Sequence, residues 1–72
     1  MAANITGYTI EIGTIHDPWC IPVRIENPGG GMEPAYWAAA DVLTAGLDAR
    51  TGQTHSARLV RHEHERIVLT RP

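Results

Sequence analysis

The four histidines and one cysteine of this chain are its residues best suited to hold a metal or to activate a nucleophile. His62 and His64 are spaced i, i+2, which on a strand puts both on one face. His16, His55 and Cys20 lie elsewhere in the sequence. Zinc takes three or four such ligands in a tetrahedral array, and these spacings match neither a finger nor a ribbon. The simpler expectation makes His62 and His64 polar residues at a hairpin tip, interleaved with Glu63 and Glu65, with no metal and no other cofactor bound. Cys20 follows His16 by four residues, the one Cys–His arrangement that would activate a thiolate. A chain of 72 residues leaves little room for a pocket that excludes water. With no serine elbow either, a non-enzymatic protein is expected.

Gly29-Gly30-Gly31 precedes a helical pattern, where a glycine-rich turn can cradle a phosphate. No Lys or Ser/Thr follows as a Walker loop requires, and Glu33 would repel an anion there. A connector that orders on contact is the expected role. The basic residues are all arginines, and Arg24, Arg58, Arg61, Arg66 and Arg71 come from strand-like segments or their ends. Side by side, such strands gather positive charge into a patch, but Glu11, Glu26, Glu63 and Glu65 come from the same segments. The formal net charge of −2 also gives the whole chain no nucleic-acid footprint. A solvated mixed-charge face is the first expectation and a protein-binding face the second. Nucleic-acid binding ranks third, because neither a stacking motif nor a recognition helix is present.

These residues need elements to position them. One small domain, 1–72, accommodates the chain, and a domain of this size buries only about 60% of the surface its unfolded chain exposes. Apolar residues make up 43%, which suits a globular fold. Residues 6–13 alternate, with Tyr8, Ile10 and Ile12 on one side, and so predict a half-buried strand. Residues 19–26 alternate again, with Trp19, Ile21, Val23 and Ile25 inward. Pro22 lacks an amide hydrogen and makes this an edge strand or a bulge. A loop of about five residues joins the two as an antiparallel hairpin.

After the Asn27 to Gly31 loop, residues 33–50 predict the only helix, with Pro34 in its first turn and Gly52 as its stop. At 100° per residue, Ala35, Tyr36, Ala39, Ala40, Val42, Leu43, Gly46 and Leu47 form the inward half. Trp37 then falls on the outer half beside Asp41, Thr44 and Asp48, either as an interface anchor or as part of a small core. Ser56–His62 and 66–70 predict a second hairpin around Glu63-His64-Glu65. Ala57, Leu59, Ile67 and Leu69 point inward there, and Val60 and Val68 lie on the other face. The fold class is therefore α+β, in the order β-β-α-β-β: a four-stranded antiparallel sheet with one helix packed on one face.

In this architecture the chain resembles small phage-encoded proteins of the anti-CRISPR kind. The resembling stretches are 6–13, 19–26, 34–50 and 56–70. The resemblance implies a plug that binds a large host complex, and it carries over no functional residues. The expected function is thus a non-enzymatic protein-binding module, in the manner of a phage or mobile-element protein that inhibits a host defence complex. Its candidate contacts are Trp37, Asp41 and Asp48 on the helix, with Arg24, Arg58 and Arg61 on the sheet. The rivals are a small nucleic-acid-binding protein with an arginine-bearing sheet face and a homodimeric assembly component. No apolar run reaches the length of a membrane span, and one free cysteine with no export signal points to the cytoplasm.

Overall fold

Alternation of apolar and polar residues marks the first two strands of the sheet, and the last two carry adjacent apolar residues that serve both faces. The computed structural model describes residues 5–26 and 31–71. They form β1 (Gly7–Gly13), β2 (Ile21–Ile25), α1 (Glu33–Thr51), β3 (Ser56–His62) and β4 (Arg66–Val68). The strands make one antiparallel sheet in the order β2-β1-β3-β4, with α1 packed on one face, so the expected α+β architecture is observed. Of the Asn27 to Gly31 loop, the first four residues lie outside the described residues. Pro22 indeed falls on an edge strand.

Cross-strand partners share a face, so the register divides the side chains cleanly. Tyr8, Ile10 and Ile12 lie beside Ile25, Val23 and Ile21 on one flank and Arg61, Leu59 and Ala57 on the other. This is the helix side, and Tyr8, Ile10, Ile12, Leu59, Trp37 and Ala40 are its buried core. The opposite, open side carries Thr9, Glu11, Arg24, Arg58, Val60, His62, Arg66 and Val68. Thr9 and Val60 are buried there although no helix covers them.

Over its 19 residues α1 runs about 28 Å. It ends where Gly52, at φ 73°, donates its N–H to the Asp48 carbonyl at 2.9 Å. Its inward face differs from the expected one by about a quarter turn. Trp37 and Ala40 are buried, and Glu33, Tyr36, Thr44, Leu47 and Asp48 are half-buried. Ala35, Ala39 and Gly46 face solvent, and Val42 is 73% exposed. Two forces set this rotation. A tryptophan ring contributes far more buried area than Val42 or an alanine. Glu33 also turns toward the sheet, where it meets Tyr8 and Arg61.

The connection from Gly13 to Ile21 is longer than expected, and it closes tightly over β1. A Cβ on Gly13 would stand 2.2 Å from the Trp19 nitrogen and 2.3 Å from the Asp17 carbonyl, so only glycine fits. Thr14 donates its N–H to the Asp17 carbonyl at 3.1 Å and accepts the Asp17 N–H on its hydroxyl at 3.1 Å. Trp19 was expected to begin β2 on the core side. It sits instead in this connection, in the left-handed region at φ 57°, half-buried.

Candidate protein-binding surface

The six candidate contacts separate into three groups. Arg24 and Arg58 lie on the open side as expected, Arg24 exposed on edge strand β2 and Arg58 on β3. Arg61 lies on the helix side, because it pairs with Tyr8 in the ladder. The helical trio is not an exposed surface cluster. Trp37 is only 7% exposed, and the Arg71 guanidinium stacks 4.6 Å from its ring centre. Asp41 holds Arg71 at 2.8 Å, which fixes that stack. Asp48 accepts the His55 backbone N–H at 2.7 Å and faces the His55 Nδ1 at 2.8 Å, closing the connection from α1 to β3.

On the helix side a polar cluster ties α1 to the sheet. The Tyr8 hydroxyl donates to Glu33 at 2.5 Å, and Arg61 reaches Glu33 at 3.1 Å and Glu63 at 3.0 Å. Burial, reinforced by the carboxylate of Glu33, pushes the Tyr8 phenol up to about 12. The Tyr8 hydroxyl, joined by Arg61, holds Glu33 below the usual carboxylate range against the opposing effect of burial. The hydrogen bonds Arg61 donates to Glu63 and then to Glu33 raise its pKa. This cluster holds Glu63 against Arg61 of the helix side. The periodic pattern of β1 gives no signal of it, since Tyr8 reads there as an ordinary core residue.

The open side is organised by Glu11. Its carboxylate accepts Arg58 Nε at 2.8 Å and also bonds Arg66, so one acidic group on β1 holds arginines from β3 and β4. Burial pushes the Glu11 carboxyl up, but the Arg66 and Arg58 hydrogen bonds outweigh it and hold the group below its ordinary range. Arg58 also stacks 4.5 Å from the Trp19 ring centre. His62 Nε2 stands 2.8 Å from the Thr9 hydroxyl, at the other end of β3. Arg24, Arg58 and Arg66 share this side with Glu11 and, next to the end of β2, Glu26, so its charge is mixed. Val68 lies among these polar groups, 46% exposed.

At the Trp19 end the open side runs into a cleft of about 550 Å³. Ile15, Pro18 and Trp19 give it apolar walls, and Thr14, Thr54 and Ser56 add hydroxyls. Ser56 and Gly13 are paired at the end of the β1–β3 ladder on the same side as Glu11 and Arg58, which makes cleft and charged lattice continuous. Ile15 is 90% exposed at the rim. Sequence reasoning sought one aromatic anchor beside charges and chose Trp37. Trp37 is buried, and Trp19 is the tryptophan that stands half-buried at a cleft beside an arginine.

His16 and Cys20 are exposed, and among the described residues no three of His, Cys, Asp and Glu gather where a metal ion would need them. His62 ends β3 and His64 occupies the following turn. Among the described residues, no helix is long and apolar enough to cross a membrane. The chain matches no known protein family, no curated protein and no solved structure.

Proposed function

We propose that this protein is a non-enzymatic binding module that engages a partner protein through the open side of its sheet. The observation that carries this is the continuity of an apolar cleft, rimmed by Ile15 and Trp19, with the Arg58–Glu11–Arg66 lattice. Hot spots of protein interfaces pair an aromatic anchor in a pocket with held charges around it. Here the charges are already fixed by Glu11 and the Trp19 ring by Arg58, so little side-chain freedom is lost on binding. The partner surface that fits offers an aliphatic side chain to the cleft and carboxylates to Arg24, Arg58 and Arg66. A host complex blocked by a phage or mobile-element protein, as the architectural resemblance implies, is one such partner.

The test is recovery of partners on immobilised protein. Ile15→Asp and Arg66→Glu are expected to lose the partner that wild type retains, while Val42→Glu on the solvent face of α1 keeps it. Equal recovery by all four proteins overturns the assignment. A second function is favoured by the three arginines on one side, namely binding to a nucleic-acid backbone. It predicts a complex with DNA or RNA that weakens steeply with added salt, whereas the cleft-centred complex depends on Ile15.

A further inference from the structure

We propose that β2 is the seat of a symmetric homodimer, in which two copies pair antiparallel, edge to edge, with the two-fold axis at Ile25. The inference goes beyond the partner-binding surface and does not depend on it.

β2 is an edge strand with an unused row of backbone groups. The Ile25 carbonyl is directed at β1, since a Cβ on Gly7 would stand 3.1 Å from it. Strand alternation then turns the backbone groups of Ile21, Val23 and Ile25 toward β1 and those of Pro22 and Arg24 outward, and Glu26, the residue directly after β2, takes the outward place when pairing lengthens the strand by one residue. The helix leaves this strand uncovered as well. α1 lies over β3 and β1, and among the described residues no Cα of it comes within 8 Å of one in β2. Ile21 is 37% exposed, and Val23 and Ile25 are half-buried, although all three share the core side.

The sequence of β2 selects one register. An axis at Val23 sets Arg24 opposite the partner's Pro22, which has no N–H to donate. An axis at Arg24 sets Arg24 against the partner's Arg24 and again uses Pro22. An axis at Ile25 avoids both faults. Arg24 then faces the partner's Glu26, each exchanging both backbone hydrogen bonds, and the symmetry repeats the pair. Opposite charges meet twice on the open side. On the helix side Ile25 meets the partner's Ile25 at a closely spaced position, where side chains make their best contact. The contact is smaller than the about 800 Å² per partner of a standard interface, so the dimer is weak and concentration-dependent. Its axis stands perpendicular to the sheet. Both helices lie on one side, and the two open sides join into one double-width surface.

Sedimentation velocity between about 10 µM and about 1 mM tests this directly. Wild type is expected to shift from monomer to dimer across that range. Arg24→Glu and Glu26→Arg each set like charges opposite one another and are expected to weaken the dimer about tenfold or more. Mixing the two variants restores it, because every opposed pair is then of unlike charge. In a Cys20→Ser background, Ile25→Cys is expected to form an intermolecular disulfide, since residues at a non-hydrogen-bonded position lie about 4.5 Å apart. Ile21→Cys, farther from the axis, is not. Wild type that stays monomeric throughout, single variants that dimerise like wild type, or equal cross-linking at both cysteines each overturns the assignment. Because Ile15→Asp and Arg66→Glu leave β2 intact, they are expected to dimerise normally, which separates failure here from failure of the partner surface.

Discussion

Glu11 and Glu33 hold corresponding posts on the two sides of the sheet, each a carboxylate bonded to groups from separate elements. Both carboxyls titrate below the ordinary value of 4.5. The folded chain therefore binds fewer protons than the unfolded one as acid is added. The stability they contribute is fully present above that value and is lost as pH falls through the lower folded-state pKa. Glu11→Gln is expected to cost about 1–2 kcal/mol at neutral pH in urea unfolding and to flatten the acid limb of the stability profile. Tyr8 works in the opposite direction. Its phenol is raised from 10.0 to about 12, so its contribution is intact below 10.0 and is lost as pH rises toward 12. Tyr8→Phe is expected to remove that alkaline limb and, by taking away the hydrogen bond that holds Glu33 low, to shrink the acid limb toward the part that Glu11 supplies.

At the scale of elements, the rotation of α1 converts an interface candidate into a core residue. Trp37→Ala is expected to lower stability by about 3–5 kcal/mol, because it empties the space between helix and sheet. Val42→Glu, on the solvent face, is expected to change stability by no more than about 0.5 kcal/mol. Chemical denaturation of both variants checks the pair. Gly13→Ala is expected to cost about 3 kcal/mol or more, since its Cβ meets backbone that cannot swing aside. The elements themselves were legible in the sequence. In Ser56–His62 the alternation breaks at Leu59-Val60, and the period of two only requires that they lie on opposite faces, as they do; Pro22 announces an edge. The helix bounds were legible from Pro34 and Gly52, but the helix face was not. A wheel of mostly small residues points weakly, and contacts with Tyr8, Arg61 and Arg71 settle it from far along the chain. Alternation likewise carried Trp19 into β2, because period two cannot show that the chain folds back on Gly13 first. The Glu11 lattice escaped notice for a related reason: its members lie 47 and 55 residues apart, and only strand order brings them together.

For the molecule as a whole, one layer of helix serves a sheet with two faces. The core is sealed by the helix on one face, while Val60 and Thr9 on the other are enclosed by each other, by Val68 and by their polar neighbours. Arginine stems serve this purpose, since they bury methylenes while the guanidinium stays wet. The helix-covered side thus carries the core, and the open side is left to the partner surface proposed above. Ile15→Asp is expected to melt within a few degrees of wild type, whereas Trp37→Ala loses much of the total of about 4–11 kcal/mol that a domain of this length has available. Scanning calorimetry distinguishes the two outcomes. The chain contains two tryptophans, and each lies beneath an arginine in a different compartment. Indole emission moves to longer wavelength as the ring meets water, so the protein carries two optical channels of its own. Trp37 reports the melting of the interior, and Trp19 reports events at the cleft. A Trp19→Phe variant leaves the first channel alone and a Trp37→Phe variant leaves the second, so docking and unfolding can be followed separately by light, without any attached dye.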